Sequence, residues 1–122
     1  MSPLRVLVVD DDHDFAESMA LLMRRRGYEV ELAFSGEEAI ARFHERDFDI
    51  TFMDIRLPKK DGVESLIEIR KFKPEARVVM MTGYSVEQLL EQAVNHGAYK
   101  VLDKPLNIPR VLGMLEKIQR GQ

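Results

Sequence analysis

Strand-length apolar runs alternate with helix-period segments from one end of the chain to the other, and no other feature restricts the fold as much. Leu4-Arg5-Val6-Leu7-Val8-Val9, Asp49-Ile50-Thr51-Phe52-Met53 and Arg77-Val78-Val79-Met80-Met81 are nearly continuous apolar runs, the pattern of strands covered on both faces. Tyr28, Val30, Leu32 and Phe34 instead alternate with Glu29, Glu31 and Ala33. Tyr99-Lys100-Val101-Leu102 alternates less cleanly, and both segments read as edge strands. Between these runs, apolar residues recur at helical spacing: Phe15, Met19, Leu22 and Met23; Ala39, Ile40 and Phe43; Val63, Leu66 and Ile67; Val86, Leu89, Leu90, Ala93 and Val94; Val111, Leu112, Leu115 and Ile118.

Local signals punctuate the helices. Gly27 and Asn95-His96-Gly97 close the first and fourth, and Pro74 stops the third. Ser35 with Glu38, Asp61 with Glu64 and Ser85 with Gln88 have the spacing of capping boxes. The fifth helix starts near Pro109, with Asn107 or Ile108 as its cap. Strands separated by helices need right-handed crossovers, so the expected fold is α/β: a doubly wound, five-stranded parallel sheet with five helices on its two faces. Placing the two alternating strands at the edges gives the order 2-1-3-4-5, with the switch point between the first and third strands. At 122 residues the chain has room for one core, so residues 1–122 are expected to form a single domain with no output domain.

Polar residues stand where the central strands end. Asp10-Asp11-Asp12 follows the first strand, Asp54 the third and Thr82 the fourth, while Asp103-Lys104-Pro105 follows the fifth. In an open α/β sheet these positions share one edge, and Asp10, Asp11 and Asp54 line the crevice at the switch point. Three carboxylates so placed repel one another unless a cation intervenes. Their charge of −3 is cancelled by a divalent ion together with Lys104, and an all-oxygen donor set suits Mg2+. A carboxylate facing a phosphorus whose oxygens are held by such a cation, a lysine and a hydroxyl can attack it. Asp54 is the nucleophile in this reading, Thr82 the hydroxyl donor and Lys104 the point charge.

Composition removes other classes. The formal net charge of −3, from 18 basic and 21 acidic residues, gives no broad reason to bind nucleic acid or an acidic membrane surface directly. The absence of cysteine excludes disulfides and thiolate metal sites. The first apolar run is broken by Arg5 and ended by aspartates, too short and charged for a signal peptide or membrane span; a cytoplasmic location is expected. Asp12 reads as a helix cap, and Arg24-Arg25-Arg26 as cations meeting a helix dipole. Lys59-Lys60 reads as loop surface near Asp54, and His13, His44 and His96 lack metal-ligand spacing.

Val6-Leu7-Val8-Val9-Asp10-Asp11-Asp12, Asp54, Leu57-Pro58, Asp61-Gly62, Met81-Thr82-Gly83, Gly97-Ala98 and Lys104-Pro105 occur in that order. With them the chain resembles the receiver domain of two-component response regulators over essentially its whole length. The resemblance implies the flavodoxin-like form of the fold. It makes Asp54 the acceptor of a phosphoryl group from a histidine kinase or histidine phosphotransfer protein. It also implies Mg2+ on Asp11, Asp54 and the backbone carbonyl of Arg56, with Asp10 helping through water. Thr82 becomes a switch hydroxyl and Lys104 the phosphate partner, followed by a cis peptide to Pro105. Such a chain catalyses only its own phosphorylation and slow autodephosphorylation. Phosphorylation is expected to reshape the surface of the fourth helix, fifth strand and fifth helix for an unknown downstream protein. Dimerisation through Leu89, Leu90, Val111 or Met114 is left open.

The chain departs from the family pattern at Val101, where an aromatic residue often stands three before the lysine; Tyr99 lies two residues earlier. Arg56 and Tyr84 flank the acceptor and are large enough to obstruct an attacking water, which predicts a long-lived phosphorylated form. One alternative is a receiver-like interaction module that works without phosphate. The other is an aspartate-nucleophile phosphohydrolase, disfavoured because Arg56 stands where such an enzyme needs a carboxylic acid.

Overall fold

The computed structural model describes residues 3–83 and 87–121. Strands and helices alternate: β1 (Arg5–Val9), α1 (His13–Arg24), β2 (Glu29–Ala33), α2 (Gly36–Glu45), β3 (Ile50–Asp54), α3 (Gly62–Phe72), β4 (Val78–Thr82), α4 (Glu87–Asn95), β5 (Lys100–Asp103) and α5 (Ile108–Gln119). The five strands form one parallel sheet in the order β2-β1-β3-β4-β5, which is the expected topology. Every residue of the central strands β3 and β4 is buried, whereas β2 and β5 carry exposed positions at the two edges.

Strand alternation divides the core in two. Val6, Val8, Ile50, Phe52, Val79, Met81 and Leu102 pack with α1 and α5. Leu7, Val9, Met53, Val78 and Met80 pack with α2, α3 and α4. Each fully buried Phe, Leu, Ile or Met contributes on the order of 1.5–3 kcal/mol relative to exposure. Met19, Met23, Met53, Met80, Met81 and Met114 are all buried, so these six methionines fill the core. Val111 and Met114 face the α1 side of that core at 2% and 8% exposure; Leu89 and Leu90 are partly packed against the other cluster.

The caps set where the chain turns toward the site. Asp12, Ser35 and Asp61 accept the N–H of Phe15, Glu38 and Glu64. The Glu38 carboxylate reaches back to the N–H of Phe34 at 3.1 Å, one residue before the cap. Asn107 caps α5 by accepting the N–H of Arg110, with Pro109 in the first turn, where it breaks no helical hydrogen bond. Ser85 lies outside the described residues. Gly27 and Gly97 close α1 and α4 at φ +90° and +89°. In each, paired hydrogen bonds run back into the last turn, from Gly27 to Arg24 and Tyr28 to Met23, and from Gly97 to Val94 and Ala98 to Ala93.

Candidate functional site

The carboxyl edge of the sheet brings together the acids that the sequence separates. Register pairs Val9 of β1 with Met53 of β3, so Asp10 and Asp54 leave neighbouring strands side by side. One carboxylate oxygen from each of Asp10, Asp11 and Asp54 lies within 4.8 Å of the others. Asp10 is fully buried, Asp54 is 9% exposed, and Asp11 is exposed. Lys104 arrives from the turn after β5, its own N–H held by the carbonyl of Thr82 at 2.7 Å. Its ammonium donates to Asp10 Oδ2 at 2.6 Å and to Asp54 Oδ2 at 3.0 Å. The Lys104–Pro105 peptide is cis.

Both oxygens of Asp54 are therefore held. Oδ2 accepts from Lys104, and Oδ1 accepts the N–H of Arg56 at 2.9 Å, closing the turn that leads away from the strand. That turn is packed tightly underneath. A Cβ on Gly62 would lie 2.5 Å from the Asp54 carbonyl oxygen, 2.7 Å from Met80 Cε and 2.8 Å from Ile55 Cα, and the Gly62 N–H donates to the Ile55 carbonyl at 3.0 Å. Only glycine fits against the end of the strand that carries Asp54.

Burial raises the Asp10 carboxyl above its ordinary value; hydrogen bonds from Lys104 and the Asp12 N–H oppose this, and the charge of Asp54 adds to it. Burial works against the Lys104 ammonium, but its bonds to Asp10 and Asp54 prevail and hold it more firmly protonated than a free lysine. The two directions agree in meaning: one ammonium is shared by acids that it does not fully neutralise.

Thr82 ends β4 on the same edge and is buried at 2% exposure, one residue beyond Met81, which pairs with Asp54. Arg56 is exposed on the turn after Asp54; Tyr84 lies outside the described residues. Lys60, read from sequence as loop surface near Asp54, donates to Glu68 at 2.5 Å. Val101 is partly buried against the α3–α4 cluster, and Tyr99 is 43% exposed. None of the histidines belongs to the acidic cluster; His13 stacks on Phe34 with ring centroids 3.7 Å apart.

Residues 6–116 match the model of the response regulator receiver domain. The chain belongs to the response regulator receiver domain family. It is 38% identical over 110 residues to a response regulator receiver protein of Anaeromyxobacter sp. (strain Fw109-5), covering 90% of this chain and 46% of that protein. It is 31% identical to the chemotaxis protein CheY of Thermotoga maritima, covering 95% of this chain and 98% of that one. The transcriptional regulatory protein ZraR of Salmonella typhimurium is 38% identical, but this receiver domain spans only 25% of its length.

Among solved structures, a CheY-like receiver domain from Methanospirillum hungatei JF-1 superposes with a TM-score of 0.89 at 30% identity, covering 99% of this chain and 100% of that one. A Burkholderia pseudomallei response regulator with a phosphorylated aspartic acid, calcium ion and citrate gives 0.83 at 30% identity, covering 97% and 72%. The doubly wound sheet of order 2-1-3-4-5 read from strand periodicity is thus the fold of the family. No helix among the described residues is long and apolar enough to cross a membrane.

Proposed function

We propose that this receiver domain takes a phosphoryl group from a phosphohistidine onto Asp54 and that the adduct switches a protein-binding surface. The observation that carries the reading is the convergence of three carboxylates, two of them bonded to one partly buried ammonium. With Asp10, Asp11 and Asp54 ionised, Lys104 leaves two formal negative charges, which an acceptor of an anionic group must neutralise. The donors are all oxygen and one acid is exposed, a set suited to a hard divalent ion such as Mg2+. Asp11, Asp54 and the Arg56 carbonyl would hold that ion directly and Asp10 through water, and when bound it would neutralise charge on the phosphoryl oxygens. A related Burkholderia protein carrying calcium and a phosphorylated aspartate supports the assignment.

Asp54 then supplies the reacting oxygen. Its carboxylate attacks phosphorus in line, a P–O bond forms, and the donor's P–N bond breaks with its electron pair leaving on the imidazole nitrogen. Lys104 follows the charge from the carboxylate to a phosphoryl oxygen, a short move because its ammonium is already 3.0 Å from Asp54 Oδ2. Thr82, at the end of the adjacent strand, donates its hydroxyl to another phosphoryl oxygen and draws the β4–α4 segment with it. The exposed Arg56 obstructs water and lengthens the life of the adduct.

The test is direct: incubation with Mg2+ and acetyl phosphate, followed by intact-mass measurement, gives a labile phosphoryl adduct on the wild-type chain and none on Asp54→Ala. An unmodified wild-type chain would overturn the proposal. Val101 in place of an aromatic residue, with Tyr99 turned to solvent, favours a second reading in which the same surface binds its partner without phosphate. Equal partner binding by wild type and Asp54→Ala would select it.

A further inference from the structure

A lysine side chain has four flexible methylenes, yet Lys104 must keep its ammonium at Asp54. Two directions around Nζ are taken by Asp10 Oδ2 and Asp54 Oδ2. Over Nζ lies the ring of Phe15, its centroid 4.3 Å away, well inside the range in which the negative face of an aromatic ring attracts a cation. Helical periodicity makes Phe15 one more apolar position of α1; its partner stands near the far end of the sequence.

The ring is itself fixed from below. Asp10 Oδ1 accepts the N–H of Asp12 at 2.9 Å, and Asp12 Oδ1 accepts the N–H of Phe15 at 3.1 Å. Phe15 packs, partly buried, on the α1–α5 core and covers Lys104, whose ammonium returns to Asp10. Four residues thus form a closed circuit of contacts in which the helix cap sets the ring and the ring sets the lysine. An aliphatic side chain at the same place would keep the burial and the cap but would lose the attraction for the ammonium.

We propose that Phe15 is a positioning residue for phosphoryl acceptance, holding the Lys104 ammonium at Asp54 with the face of its ring. The role rests on the reading of Asp54 as the acceptor. Phe15→Leu is expected to slow adduct formation from acetyl phosphate and Mg2+ by roughly three- to tenfold, the range that a cation–π contact of this kind supports. Phe15→Tyr restores the rate, and neither change alters Mg2+ affinity, because Phe15 offers no ligand atom.

A second readout is independent of the reaction. The Cε protons of Lys104 are shifted upfield by the ring current in wild type and Phe15→Tyr, and return to ordinary lysine values in Phe15→Leu. A Phe15→Leu chain that reacts at the wild-type rate would overturn the proposal, as would a Phe15→Tyr chain as slow as Phe15→Leu. A wild-type chain that forms no adduct fails the acceptor reading itself and removes Phe15 from that reaction. An unshifted Lys104 signal in a wild-type chain that does form the adduct overturns the positioning role alone.

Discussion

The two edges of the sheet use the same residue types to opposite ends. At the amino edge, Lys73 pairs with Asp47 in the open, and Arg77 donates to the Asp49 carbonyl at 3.3 Å. The Asp49 carboxylate there accepts the N–H of Arg5 at 2.7 Å. These residues other than Arg5 rim a cavity of about 440 Å3 floored by Phe43, Phe48 and Phe72. One cation meets one anion there, and the other charged groups meet backbone, all in contact with water and tying loops together. At the carboxyl edge, Asp10 and Asp54 share one lysine with Asp11 beside them, and Asp10 is wholly buried. Exposed pairs contribute little because water already solvates them, whereas acids held out of water in excess of their counter-charge can do chemistry. Solvation, more than residue identity, separates a structural edge from a reactive one.

The contrast can be broken most forcefully at Gly62. Gly62→Ala places a methyl group against the Asp54 carbonyl and the Ile55 backbone, and urea denaturation is expected to show a loss of about 2–3 kcal/mol. A loss within measurement error would mean that the carboxyl edge is no more tightly built than the other. Asp10→Asn probes the buried charge instead. Because burial raises the folded-state value of this carboxyl, its ionised form opposes folding, and the penalty grows as pH rises from the unfolded value through the folded one.

In a chelator at neutral pH, the asparagine variant should therefore be more stable than wild type by about 1 kcal/mol. The gain should vanish at low pH, and the variant should be less stabilised by added Mg2+. Thermal melts across pH check both signs. At the amino edge, Asp47→Asn removes the exposed partner of Lys73 and should cost less than about 0.5 kcal/mol; a cost above 2 kcal/mol would erase the distinction between the edges.

Sequence carried the sheet because apolar periodicity is a local property. The buried runs of β1, β3 and β4 differ visibly from the alternating edges, and strand order follows from that difference. The acidic cluster was legible for the same reason: Asp10, Asp11 and Asp54 stand at strand ends, and topology alone brings strand ends together. Caps were legible to within a residue, as at Asn107, since their hydrogen bonds span a single turn.

What stayed hidden depends on side-chain reach. Nothing local distinguishes Phe15, which covers a lysine, from Met19, which fills the core. Lys60 turns to Glu68 because α3 brings that carboxylate within its span. The need for glycine at position 62 comes from backbone packed beneath Asp54, which no spacing rule reports.

The bond from Lys104 to Asp10 joins positions 94 residues apart. During synthesis, the acids at the ends of β1 and β3 are made before the residue that partly neutralises them. Within this domain the acidic edge is thus completed by its last strand, and fragments that stop short of β5 carry the acids without the cation that partly neutralises them.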